Sequence, residues 1–381
     1  MRFDFDTPVD RRKSGSTKWD KYRGLDVIPL WLADMDFQSP PAVIKALHKR
    51  VEHGIYGYTQ PNEELMDVIC NHIFENYAWS IEPEWIVWLP GLVTGLNVTC
   101  RTAGNDGDDI LTAVPVYPPF LTAPGYSRRN LKTVNLMEKG GIWTFDFDAL
   151  EASITNRTRL FILCNPHNPV GRIFTREELI ALSSICEKHN IIICSDEIHC
   201  GLLLDTGKPH IPMASLDSEI AKRTITLMAP SKTYNLPGLG CSFAIIPDPQ
   251  LRKNFITSKS GIVPHVNAFG YTASLAAYSE CIEWHTALLE YLRSNRNMVE
   301  TAIKDIDGLY MGHVEATYLA WINTNQTGLD DPVGFFENEG LGFSDGKDFG
   351  GPGFIRFNFG CPKSTLKKAL DRLKMAIEKI P

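Results

Sequence analysis

From residue 85 to residue 245, short apolar β-prone runs alternate with stretches of helical character, and no other feature of the chain constrains its fold as much. Strands are predicted at 85–89, 109–114, 131–136, 160–164, 191–195, 224–228 and 241–245. Helices are predicted between them at 94–102, 118–126, 175–189 and 212–221. Such alternation favours an α/β architecture, with a mostly parallel seven-stranded sheet covered by helices on both faces. Upstream, Ser39 reads as the N-cap of a helix over 40–52, with prolines at its first positions. A second helix is expected over 63–77, after a loop that carries Tyr56 and Tyr58. Downstream, 249–258 reads as helix and 267–306 as a long helical pair. The pattern then changes to strands at 316–322 and 354–359 and a closing helix over 364–379, an α+β arrangement. The expected plan is a large domain over 51–285 and a smaller α+β domain over 286–381, with residues 1–50 contributing to the smaller one.

Composition narrows the functional class. The chain has 381 residues, 44% hydrophobic and 22% charged, as an ordinary globular protein with an ample core does. Its net charge is −7 and its basic residues are dispersed, so nucleic acid is not an expected partner. The opening Met1-Arg2-Phe3-Asp4-Phe5-Asp6 lacks the apolar core of a signal peptide, and no apolar run is long enough to span a bilayer. A cytoplasmic address is expected. The nine cysteines show no Cys-x-x-Cys pair and are expected to be reduced thiols; the ten histidines show no zinc pattern, and no metal is expected.

Three polar motifs fall at the ends of consecutive predicted strands, the edge where open α/β sheets bind ligands. The run 160–164 ends in Asn165-Pro166-His167-Asn168-Pro169-Val170-Gly171, the run 191–195 in Asp196-Glu197-Ile198-His199, and the run 224–228 in Ala229-Pro230-Ser231-Lys232. Asn168 and Asp196 are 28 positions apart, and Asp196 and Lys232 are 36 apart, each about one strand–helix–strand unit. One crevice can therefore collect an amide, a carboxylate and an amine. Taken singly, Asn168 could be a turn residue, Asp196 a helix N-cap and Lys232 a surface lysine. Together they suit pyridoxal 5'-phosphate. Lys232 would form an imine with its aldehyde, Asp196 would pair with the pyridine nitrogen, and Asn168 would donate to the ring hydroxylate. The strand-to-helix turn 90–95 offers free amides for a phosphate. Tyr117, just past a strand, could stack on the ring or pack in the interior. Arg356, on an alternating strand, could pair with an α-carboxylate or face solvent. His199 reads as a satisfied structural histidine.

These motifs resemble those of fold-type I pyridoxal-phosphate enzymes, the aspartate-aminotransferase superfamily, and more narrowly the MalY/PatB-type cystathionine β-lyases, or C–S lyases. The narrower resemblance rests on Phe5-Asp6 through Lys18-Trp19-Asp20, on residues 31–37, on Asp196-Glu197-Ile198-His199, and on residues 231–239. It implies a PLP-dependent transferase-like fold and further roles. Val93, Thr94 and Ser231 match phosphate-binding positions, Ala33 a substrate-edge position, and Arg356 the α-carboxylate arginine; Asn168 also matches a substrate contact. Tyr58 matches the residue that reaches the neighbouring active site of a homodimer. Many aminotransferases carry a phosphate-binding arginine eight positions after the lysine; here that position is Gly240. The implied activity is α,β-elimination of L-cystathionine or related cysteine S-conjugates, with Lys232, Asp196 and Tyr117 as the catalytic set. Alternatives are an aminotransferase on the same scaffold and a non-catalytic regulatory relative.

Overall fold

In the central strands, side chains alternate between two apolar layers, as period-two geometry requires. Ile110, Leu160 and Ile162 pack with Leu96, Val98 and Phe120 from helices Leu92–Thr102 and Pro118–Tyr126. Leu111, Phe161 and Leu163 pack on the other side with Leu179, Leu182 and Cys186 from helix Arg176–Lys188. Each large apolar side chain so buried contributes about 1.5–3 kcal/mol relative to exposure. Both faces being covered explains why these strands read as continuous apolar runs.

The structure is a computed structural model that describes residues 3–380, so Met1, Arg2 and Pro381 lie outside the described residues. The large sheet has eight strands: β1 (Ile86–Leu89), β2 (Asp109–Val114), β3 (Asn130–Lys139), β4 (Ile142–Phe145), β5 (Thr158–Cys164), β6 (Ile192–Asp196), β7 (Thr224–Met228) and β8 (Ser242–Ile245). Their spatial order is β1-β8-β7-β6-β5-β2-β3-β4. The pairs β7/β6, β6/β5, β5/β2 and β2/β3 are parallel, whereas β8 runs antiparallel between β1 and β7. The eighth strand corrects the expected seven. β3 continues to Lys139, turns at Gly140 and Gly141, both at positive φ, and returns as β4 in an antiparallel hairpin. β4 is four residues long and runs from exposed Ile142 to buried Phe145, without the continuous burial of the interior strands.

Two helical expectations also change. The predicted helix over 212–221 is a short 3-10 turn, Met213–Ser215, followed by helix Ser218–Lys222, whose first amides are capped by the Asp217 carboxylate. Helix Pro41–His53 starts one residue late, with Pro40 at its N-cap; Ser39 Oγ instead donates to Asn235 O at 3.0 Å. The long pair is present as Ala268–Glu280 and Ile282–Lys304.

The C-terminal part forms a second, antiparallel sheet of β9 (Tyr310–Met311), β10 (Leu319–Asn323), β11 (Ser344–Asp345) and β12 (Phe354–Asn358), in the order β9-β10-β12-β11. The N-terminal segment joins it: Ile28–Pro29 pairs in parallel with Leu341–Gly342, and Phe5, Ile28 and Leu30 share a core with Leu319, Phe343 and Leu366. All nine cysteines are free thiols. No helix among the described residues is long and apolar enough to cross a membrane.

Candidate active site

Parallel register brings the three strand-end motifs together. Cys164 at the end of β5 pairs with Asp196 at the end of β6, and Asp196 pairs with Leu227 of β7, one residue before that strand ends. The turn after β5 is pinned by His167, whose ring bridges Pro115 O at 2.7 Å and Cys164 O at 3.1 Å. Ala33, Val93, Tyr117, Asn168, Asp196, Ser231 and Lys232 consequently line one cavity of about 160 Å³.

Asp196 is buried, and its Oδ1 accepts from Ile198 N at 3.1 Å. No cation among the described residues stands within ion-pair distance of it. Burial therefore pushes its carboxyl up from 3.8 to about 7, with Glu197 adding to the rise while the Ile198 amide and Lys232 oppose it. Lys232 is half-buried. Burial, then Arg356, lower its amine from 10.5 to about 8, against the pull of Asp34 and Asp196. Its Nζ donates to Ala33 O at 2.5 Å, and Tyr318 Oη donates to the same carbonyl at 2.9 Å.

Arg356, on β12, does not face solvent: it is buried, and although it does not itself line the cavity it bonds Asn168, which does. Its Nη1 donates to Asn168 Oδ1 at 3.1 Å, and its Nη2 to Trp31 O at 2.8 Å and Ser344 Oγ at 3.3 Å. The guanidinium lies 4.6 Å over the Phe349 ring. Burial lowers its pKa to about 10, so it remains a cation at neutral pH.

Both cations are thus held by backbone carbonyls two residues apart, Trp31 and Ala33. That segment is fixed by a buried charge cluster. Lys18 Nζ lies 2.8 Å from Asp36 Oδ2, and Arg11 lies 2.7 Å from both Asp34 and Asp36. Burial alone would raise the Asp36 carboxyl, but Lys18, Trp19 and Arg11 outweigh it and hold the group below 3.8. Asn235 ties the segment to the lysine loop, accepting from Met35 N at 3.0 Å and donating to Phe37 O at 2.8 Å.

The cavity mouth meets the start of helix Leu92–Thr102. Its N-cap, Gly91, supplies no side-chain cap, so the first amides keep their donors for an anion. Gly91, Leu92 and Val93 line the cavity, and Thr94 follows one residue along the helix without lining it. Gly240 has φ +58°, and a Cβ there would stand 2.9 Å from Pro90 O, so an arginine at this position is sterically disfavoured. Tyr58 is fully exposed and does not line this chain's cavity.

His199 departs from its sequence reading. It is buried and lines the cavity, and its Nδ1 has no hydrogen-bond partner among the described residues. Burial, with Lys232 and Arg356 nearby, lowers its pKa well below 6.5 and keeps the ring neutral. The sequence reading also passed over Phe349, Ser344 and the Trp31 carbonyl. No local motif marks Phe349 or Ser344, and the 31–37 motif that contains Trp31 does not single out its carbonyl, because their roles arise from contacts with Arg356 and not from neighbours in the chain.

Known proteins are similar to this chain along their whole length. The chain is 37% identical over 386 aligned residues to cystathionine beta-lyase PatB of Bacillus subtilis, covering 98% of this chain and 99% of that one. The crystal structure of OvoB superposes with a TM-score of 0.97 at 44% identity, covering 99% of this chain and 100% of its own. That of cystalysin from Treponema denticola, which contains a pyridoxal 5'-phosphate cofactor, has a TM-score of 0.95 at 32% identity, with both chains covered in full. The description of a whole family, aminotransferase class I and II, matches residues 26–373, which take in every strand-end motif described above, and the chain belongs to that family.

Proposed function

We propose that this protein is a pyridoxal 5'-phosphate-dependent C–S β-lyase, acting on L-cystathionine or a related cysteine S-conjugate. The observation that carries the reading is Asp196, a buried carboxylate without a cation, in one cavity with a lysine whose amine is lowered to about 8. A protonated pyridine nitrogen is the partner such a carboxylate lacks. The rest of the cavity fits the same group. Lys232 would take the aldehyde and Tyr117 the ring face, both from the lining of this cavity. Asn168, whose Oδ1 is taken by Arg356, presents its amide donor to the ring oxygen. Ser231 and the amides around Val93 and Thr94 suit the phosphate.

When bound, pyridoxal phosphate supplies an electron sink for a carbanion at the substrate Cα. The chain's own residues do the rest. Arg356 binds the α-carboxylate, exchanging the neutral Trp31 carbonyl for a charged partner. Lys232 Nζ, neutral above about pH 8, takes the Cα proton as general base. Asp196 holds the ring-nitrogen proton in place. Ala33 O orients the freed amine. Loss of the β-thiol and addition of water give homocysteine, pyruvate and ammonia from L-cystathionine.

Gly240 favours this reading over an aminotransferase, whose phosphate arginine the left-handed backbone there disfavours. PatB, named a cystathionine beta-lyase, supports it too. We also assign the domains as 51–285 and 286–381, with residues 1–50 joining the smaller one, and take the active form to be a homodimer. The exposed Ile55, Tyr56 and Tyr58 support a second copy docking there, with Tyr58 reaching the neighbouring phosphate. The free thiols fit a cytoplasmic protein.

The test is pyruvate release from L-cystathionine by the purified protein, with no keto acid present. Turnover without a keto acid supports the lyase; turnover only when one is added makes it an aminotransferase. The wild type is expected to be yellow with the cofactor, and Lys232→Ala to lose the imine absorption band.

A further inference from the structure

Behind the lysine loop lies a second cavity, of about 410 Å³, that shares no lining residue with the first. It is bounded by helix Glu63–Tyr77, by residues 200–210 and by the helical pair 268–304. Its walls are rings. His72 and Tyr278 lie 4.7 Å apart, Tyr234 and His285 5.7 Å, and Tyr234 and Tyr278 5.9 Å, all at tilted or edge-on angles. Burial lowers both imidazoles, His72 to about 4, so these ring faces carry no charge at neutral pH.

The charges at the rim are unequally matched. Asp205 is paired with Arg296 at 2.7 Å and His313 at 2.8 Å, and Lys208 with Glu315 at 2.7 Å. Arg293 has no carboxylate within ion-pair distance among the described residues. Its Nε donates to Leu204 O at 2.8 Å, which fixes the guanidinium plane. Its two terminal nitrogens have no hydrogen-bond partner among the described residues, so the fork that binds a carboxylate through two parallel bonds is preset and open. Ring-lined concavities with one oriented charge are the usual form of a small-molecule site.

We propose that this cavity binds a planar aromatic carboxylate, with the ring among His72, Tyr278 and His285 and the carboxylate on Arg293. The site is separate from the proposed catalytic one and does not depend on its assignment. Its inner wall includes Thr233 and Tyr234, which directly follow Lys232. The packing there has little slack: a Cβ on Gly201 would stand 2.6 Å from Thr233 Oγ1.

Calorimetric titration of the holoprotein with phenylacetate and indole-3-acetate tests the proposal. Saturable binding at one site per chain is expected. Arg293→Gln is expected to weaken it at least tenfold, and so is replacing the probe with indole-3-acetamide, which lacks the charge. His72→Leu, on the facing wall, should weaken it less, and its thermal melt provides a folding check. Arg356→Leu separates the two cavities, because it should leave this binding intact. The proposal is overturned if neither acid binds, if Arg293→Gln binds as the wild type does, or if Arg356→Leu abolishes binding.

Discussion

Asp196 and Glu197 are consecutive residues, both buried, at the end of one strand, yet their surroundings are opposite. Glu197 faces the core. Its Oε1 accepts from Ser195 Oγ at 2.8 Å and from Met213 N at 2.9 Å, and its Oε2 lies 2.8 Å from His210 Nε2. Asp196 faces the cavity, with one backbone donor and no cation. At equal depth, a saturated carboxylate is a structural element, and one left short of a partner is held for a ligand. The strand geometry alone makes the division, by turning neighbouring side chains to opposite faces.

The largest test of this contrast is Asp196→Ala. Pyruvate release should fall roughly 10³-fold, the scale of losing a preorganised electrostatic partner. The thermal midpoint without cofactor should hold steady or rise, because an uncompensated buried carboxylate is gone. A clear fall in that midpoint would break the contrast.

Next is the pH dependence of stability in protein stripped of cofactor. Folding raises the Asp196 pKa from 3.8 to about 7, so the folded chain binds this proton more tightly than the unfolded chain does. Its contribution to stability is full below about pH 4 and declines as pH rises towards 7, with a slope of at most about 1.4 kcal/mol per pH unit. Urea melts across that window should show the slope, and Asp196→Asn should remove it.

Glu197→Ala should act in the other direction. It leaves His210 without its partner and should cost about 3 kcal/mol in the same melts. Activity per folded molecule should change less than tenfold. The smallest effect is expected for Ser195→Ala, about 1 kcal/mol for one buried hydrogen bond, with the cofactor's absorption unchanged. A spectral shift in that variant would mean that the core-facing network reaches the ligand after all.

The sequence makes the strand-end chemistry readable for a physical reason. A strand–helix–strand unit has a nearly fixed length, so Asn168, Asp196 and Lys232 reach one edge whatever fills the helices. The interior strands were legible as apolar runs. The hairpin strand Ile142–Phe145 was not, because it is only four residues long and only Phe145 at its end is buried. The carbonyls of Trp31 and Ala33 were hidden more deeply. Every residue has a carbonyl, and only the fold shows that these two face Arg356 and Lys232 from 325 and 199 positions away. His199 was misjudged for a related reason: sequence gives its type and position but not that one ring nitrogen lacks a partner.

The paired carbonyls of Trp31 and Ala33 bear on the thermodynamics of binding. On the proposed role of Arg356, a substrate entering the cavity finds it already hydrogen-bonded, so docking exchanges one set of partners for another. The heat released should be small compared with the number of contacts formed, and most of the affinity should come from the step from a neutral carbonyl to a charged carboxylate. Selection then follows from charge more than from shape. An ester or amide of the same amino acid fills the same space but offers Arg356 little that Trp31 does not already provide.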